Sequence, residues 1–210
     1  MQRGSGVLLH ISSLPSKFGI GTMGKEAYKF VDFLEKSGQK YWQILPIGPT
    51  SYGDSPYQSL STFAGNPYFI DLDILAENGS LSRSDYENIA WGSDPERVDY
   101  GKLFENRFNV LRIAYNNDKE RLKDKIEQFR VENSYWIESY AMFMALKFDN
   151  ELKMFREWDN DIVMREPEAI VRVYNKLAPE IDFWVYVQYL FFGQWKALKQ
   201  YANERGIKII

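Results

Sequence analysis

Two short apolar runs on either side of one amphipathic stretch constrain this chain more than any other feature. Gly6-Val7-Leu8-Leu9-His10-Ile11 stops at Ser12-Ser13-Leu14-Pro15 and reads as a buried strand. From Gly24 to Ser37, Ala27, Phe30, Val31 and Leu34 fall on one helical face, and Gly38 stands where a helix-stopping glycine belongs. Tyr41-Trp42-Gln43-Ile44-Leu45-Pro46-Ile47 reads as a second buried strand. Strand, helix and strand at this spacing make a βαβ unit, which requires a parallel sheet and an α/β fold.

Residues 48–68 change character. Gly48, Pro49, Gly53, Pro56, Gly65 and Pro67 alternate with Ser, Thr and Tyr. Parallel α/β folds build their sites from long loops at the C-terminal ends of strands. In Tyr52-Gly53-Asp54-Ser55-Pro56-Tyr57 the rings can stack on sugar faces and the Asp and Ser can hydrogen-bond hydroxyls. The competing reading is a structural Ω-loop whose tyrosines plug its own core. Its position after the second strand favours a site.

From about residue 73 to 205 the pattern is mostly helical. Phe104, Phe108, Leu111 and Tyr115 repeat at helical spacing, and Asn116-Asn117-Asp118 marks a break. Asp118 to Glu132 alternates charge sign, as a solvated helix face does. Pro167 suits a first helical turn, Pro179 is expected to divide or restart that helix, and Ile181 to Glu204 is apolar nearly all round at first. Tyr68-Phe69-Ile70-Asp71-Leu72 reads as a short extended piece. Ile207-Lys208-Ile209-Ile210 begins a third strand, and a chain stopping there is expected to be part of a larger domain.

Composition removes several chemistries. The chain has 210 residues, no Cys and one His, His10, so thiol nucleophiles, thiolate metal sites and multi-His metal sites are excluded within it. A net charge of −3 gives no electrostatic case for nucleic acid. No run reaches the length of a membrane span, and the first residues lack a signal-peptide apolar region. Aromatics are 16% of the chain, enough for both a core and a stacking surface.

Other motifs have plainer readings. Gly19-Ile20-Gly21-Thr22-Met23-Gly24 matches the dinucleotide-binding spacing. It lies eight residues past the first strand, however, and no acidic strand end follows, so it reads as a turn and helix start. The pairs Asp71/Asp73 and Asp159/Asp161 lack further ligands at metal-binding spacing and read as caps and turns. His10 lies near the end of strand one, where barrel sites sit, but a lone His on an apolar strand reads first as a hydrogen-bonded core residue.

Leu8-Leu9-His10, Ser12-Ser13-Leu14-Pro15, Tyr41-Trp42-Gln43-Ile44-Leu45-Pro46, Gly48-Pro49-Thr50, Tyr52-Gly53-Asp54-Ser55-Pro56-Tyr57-Gln58-Ser59 and Phe63-Ala64-Gly65-Asn66-Pro67-Tyr68 together resemble the N-terminal part of the amylomaltases. These are 4-α-glucanotransferases of glycoside hydrolase family 77. Val98-Asp99-Tyr100, the stretch 140–147, Gln188-Tyr189-Leu190-Phe191-Phe192-Gly193-Gln194-Trp195 and Gly206-Ile207-Lys208-Ile209-Ile210 extend the likeness over the whole length.

The resemblance implies the first three strands of a (β/α)8 TIM barrel with a helical insertion. Residues 1–75 would form the first βαβ part with a glucan-cleft loop, 76–165 a mainly helical subdomain, and 166–210 the return helices and third strand. It implies retaining transfer of α-1,4-glucan segments between maltooligosaccharides, in the cytoplasm, with no metal or organic cofactor. A carboxylate nucleophile and an acid/base about 5 Å apart do that work. The matching family carboxylates fall beyond Ile210, so no catalytic residue is assigned here and the chain alone is expected to be inactive. Tyr57 matches a tyrosine that stacks on sugar next to the cleaved bond. Ser55 and Asp54 lie in the same block as substrate-binding candidates. Tyr52 and Tyr100 match a pair tied to a second glucan site. Two rival expectations stand beside this one. The chain is a non-catalytic glucan-binding module, or it is an assembly piece that self-associates or pairs with a C-terminal partner.

Overall fold

The computed structural model describes residues 3–94 and 96–210. Three strands, β1 (Gly6–Leu8), β2 (Tyr41–Gln43) and β3 (Lys208–Ile209), form one parallel sheet in the order β1-β2-β3. Helix α1 (Lys25–Lys36) is the crossover from β1 to β2. Its Ala27, Val31 and Leu34 are fully buried, and it stops at Gly38, whose φ of 69° needs no Cβ. Helices α2 (Leu72–Glu77), α3 (Tyr100–Asp118), α4 (Lys123–Glu132), α5 (Ile137–Asp149), α6 (Asn160–Val163) and α7 (Pro167–Glu204) precede β3. No helix among the described residues is long and apolar enough to cross a membrane.

The strands are shorter and more open than their apolar runs predict. The register aligns Val7 with Trp42 and Trp42 with Ile209. This face packs on α1, where the Phe30 ring meets Trp42 edge-on at 5.0 Å. The opposite face carries Leu8, 58% exposed, opposite Gln43. Buried parallel strands need cover on both sides, and the described residues cover one.

Two further expectations are corrected. Residues 68–72 are extended only at Ile70 and Asp71: a 3-10 turn spans Pro67–Phe69, and α2 begins at Leu72. Proline presets the first turn, Asn66 accepts from the Tyr68 N–H at 3.0 Å, and Asp71 caps α2 by accepting from the Ile74 N–H at 3.0 Å. Pro179 neither divides nor restarts its helix, because α7 runs through it. Proline removes one intrahelical donor at a cost of about 3 kcal/mol. Burial of Ile181, Phe183, Trp184, Val185 and Tyr186, all at 0% exposure, offsets that locally.

The chain divides into two compact units, Met1–Asp118 with Leu190–Ile210, and Lys119–Tyr189. In the second, α4 is solvated apart from Phe129, as its alternating charges predict. Arg130 bridges Glu138 at 3.1 Å and Asp182 at 2.5 Å, and Phe148 packs on Trp184 at 5.3 Å between ring centroids. In the first unit Arg107 is fully buried. It donates to the carbonyls of Ile70 at 3.1 Å and Phe18 at 3.3 Å and lies over the Trp91 ring at 4.9 Å. Burial pulls this guanidinium down to about 10, so it remains charged at neutral pH.

Candidate functional site

A cleft of about 110 Å³ opens in the first unit beyond the C-terminal ends of β1 and β2. His10 and Ser12 reach it from the segment after β1, and Leu45 and Pro46 from the segment after β2. Thr50, Asp54 and Pro56 come from the glycine- and proline-rich loop, Asn66 and Phe69 from the turn before α2, and Tyr100 from the start of α3. The site is thus assembled at the strand ends where α/β folds place ligands.

Backbone bonds hold the loop at its base. Asn66 N–H donates to the Ile47 carbonyl at 2.8 Å, Leu60 N–H to Pro49 at 3.3 Å, and Thr50 bridges Ser59 in antiparallel fashion. Ser59 Oγ adds bonds to the carbonyls of Pro49 at 3.0 Å and Ser61 at 2.8 Å. At the tip the chain turns through Gly53 and Asp54, with φ of 92° and 54°. A non-glycine residue in the left-handed region costs free energy that the surrounding structure must offset, and such residues gather at functional sites.

The five candidate residues are placed differently. Asp54 and Tyr100 line the cleft. Burial pushes the Asp54 carboxyl up, against a Thr50 side-chain hydrogen bond that pulls it down. Burial and then the Asp54 charge push the Tyr100 phenol up, and the same two causes act first on Tyr68 behind it. The Tyr68 and Tyr100 rings are 6.3 Å apart. Tyr52 and Tyr57 stand outside the cleft lining, 98% and 74% exposed. They do not plug the loop's core, so the Ω-loop reading of their role fails. Ser55 also lies outside the lining. Its Oγ accepts from the Tyr57 N–H at 3.3 Å and its carbonyl from the Gln58 N–H at 3.1 Å, so it shapes the turn that presents Tyr57.

His10 is 8% exposed, and its Nδ1 accepts from the Leu45 N–H at 3.2 Å. Phe69 meets the ring edge-on at 5.3 Å, and burial pulls its pKa below the ordinary 6.5. Ser12, Thr50 and Asn66 are cleft residues that sequence reasoning did not single out as site residues; the Asn66-Pro67 turn signal was the available clue.

The remaining motifs resolve as local structure. Asp71 Oδ2 accepts from Thr22 Oγ1 at 2.6 Å, and a Cβ on Gly24 would overlap this carboxylate. A Cβ on Gly21 would overlap the Ile11 carbonyl. The glycine spacing therefore serves close internal packing, and a carboxylate of the chain itself lies against the start of α1. Asp73 accepts from the Tyr86 hydroxyl at 2.7 Å and pairs with Lys17 at 3.0 Å, while Asp161 pairs with Arg172. No group of His, Asp or Glu able to hold a metal occurs among the described residues.

A parallel α/β chain with a cleft at its strand ends belongs to the class of α/β folds that carry their sites on loops. The family model Glyco_hydro_77, described as 4-alpha-glucanotransferase, matches residues 9–210, and the chain belongs to that family. It is 50% identical over 202 residues to the 4-alpha-glucanotransferase of Clostridium butyricum, covering 96% of this chain and 42% of the relative. It is 43% identical to that of Thermus thermophilus, covering 100% and 42%. The structure of the amylomaltase from Streptococcus agalactiae in complex with acarbose superposes with a TM-score of 0.96 at 49% identity, over 99% of this chain and 42% of that one. The chain thus spans less than half the length of these relatives.

Proposed function

We propose that this chain supplies the N-terminal part of a 4-α-glucanotransferase that moves α-1,4-glucan segments between maltooligosaccharides by a retaining double displacement. The observation that carries this reading is the cleft at the ends of β1 and β2, in a chain that superposes on an amylomaltase with acarbose bound. Asp54 lines the cleft and accepts hydroxyl hydrogens. Tyr57 offers a flat ring to a sugar face, and Ser55 holds the turn that presents it. Tyr52 and Tyr100 are read as a second glucan contact, reached from outside the cleft by the fully open Tyr52 ring.

On this reading the three strands are the first three of a (β/α)8 barrel, and the uncovered sheet face of Leu8 and Gln43 turns toward its interior. The division at 1–75, 76–165 and 166–210 goes with that proposal, as do a cytoplasmic setting and a reaction needing no resident metal. Nucleophile and acid/base are assigned to no carboxylate here.

Two measurements test the reading. Calorimetric titration of the chain with maltoheptaose should give a saturable heat. Incubation of the chain alone with maltotriose should release no glucose, while the same assay on a full-length relative should yield glucose and longer chains. Absence of any binding heat would remove the cleft as a glucan site, and glucose release by the chain alone would overturn the assignment of catalysis to carboxylates outside it.

A further inference from the structure

The ladder between β1 and β2 ends in an exchange of partners. The register pairs Leu8 with Gln43, and the Leu9 N–H donates to the Gln43 carbonyl at 3.0 Å. A parallel ladder would continue with Leu45 N–H donating to the Leu9 carbonyl. That carbonyl instead accepts from Trp42 Nε1 at 2.7 Å, and the Leu45 N–H turns to His10 Nδ1 at 3.2 Å. Two side chains have replaced one backbone bond, and the imidazole is drawn in between the diverging strand ends.

This bond sets the histidine's chemistry. A ring nitrogen that accepts a backbone N–H carries no proton, so the neutral imidazole holds its hydrogen on Nε2. Protonating Nδ1 would set two hydrogens against each other, and burial already opposes the charged form. Nε2 has no partner among the described residues, although the ring is 8% exposed and lines the cleft. Nε2 is not sealed off from solvent, so it is open to a partner that enters the cleft. Across the same cleft Asp54 offers only acceptors when ionised. A fixed neutral donor and a fixed acceptor in one small cleft suit a hydroxyl, which accepts from one and donates to the other.

We infer that His10 is a glucan-binding residue whose Nε2–H donates a hydrogen bond to a sugar oxygen in the cleft. The inference rests on the glucan reading of the site. It differs from a packing role, which would require only Nδ1.

His10 is the sole histidine of the chain, so imidazole ¹⁵N–¹H spectra report it without assignment by mutagenesis. In the free chain Nε2 is expected to be protonated and Nδ1 not; the opposite tautomer overturns the inference. Maltoheptaose should move the Nε2–H resonance and slow its exchange with water, with the midpoint of the calorimetric heat. Binding heat with an unmoved Nε2–H resonance overturns the His10 assignment and leaves the glucan reading intact. Absence of both heat and shift overturns the glucan reading and the inference with it. His10→Gln retains an acceptor for Leu45 and, if it folds with an unchanged circular dichroism spectrum, should bind maltoheptaose roughly threefold to tenfold more weakly. Unchanged affinity in that folded variant overturns the inference.

Discussion

Gln194 pairs with the backbone of Asp71 as a strand neighbour would. Its Oε1 accepts from the Asp71 N–H at 2.7 Å, and its Nε2 donates to the Asp71 carbonyl at 3.0 Å, across 123 residues of sequence. This side chain of α7 thereby holds the segment between the cleft's Phe69 and α2, and Asp71 is 6% exposed. Gln194→Leu keeps the volume and leaves both backbone groups buried without partners. We expect a loss of about 2–4 kcal/mol, read as a lower urea midpoint at unchanged slope.

Gly65 lies against the Phe191 ring so closely that a Cβ would overlap it. Gly65→Ala should cost about 1–3 kcal/mol through overpacking. Phe191→Leu removes the ring edge, so the double variant should be more stable than the sum of the two losses predicts. Additive losses in thermal melts would show that the contact does not limit packing.

His10 also couples folding to pH. Its pKa is lower in the folded chain than the ordinary 6.5, so the unfolded state binds more protons between the two values and stability rises with pH there. The contribution is fully present above the unfolded value and is lost as pH falls through the folded one. Urea midpoints measured from pH 8 downward should fall in this window for the native chain. His10→Gln should lack that component, which separates it from carboxylates titrating at lower pH. A native chain gaining stability on mild acidification would contradict this.

Tyr52 and Tyr57 spend no packing energy on the fold, being 98% and 74% exposed. Tyr52→Ala and Tyr57→Ala should each change stability by less than about 0.5 kcal/mol. If each ring stacks on a sugar face, its removal should weaken maltoheptaose by on the order of 1 kcal/mol, roughly fivefold. Calorimetry on both variants checks this, and equal affinity in all three proteins would free these rings from the glucan role.

The βαβ core was legible because periodicity reports which face is buried. Ala27, Val31 and Leu34 share one stripe, and Gly38 closes it. The strand limits were not, because apolar residues at 44–47 continue the run after side chains have taken over the ladder at Leu45. Pro179 misled because its local cost is repaid by neighbours invisible to local propensity. Of the site, the loop holding Asp54 could be found from its turn residues. Ser12 and Phe69 could not, since they meet only after separate segments converge. Membership of the family was legible in blocks such as residues 53–59, while the cleft-facing and solvent-facing tyrosines looked alike in sequence.

The carboxylate at Asp71 has a further consequence. The first turn of a helix attracts anions, and beside Gly24 this chain has placed one of its own. The start of α1 is thus satisfied from within the chain, by a carboxylate that also caps α2, so one side chain ties the entrances of two helices together.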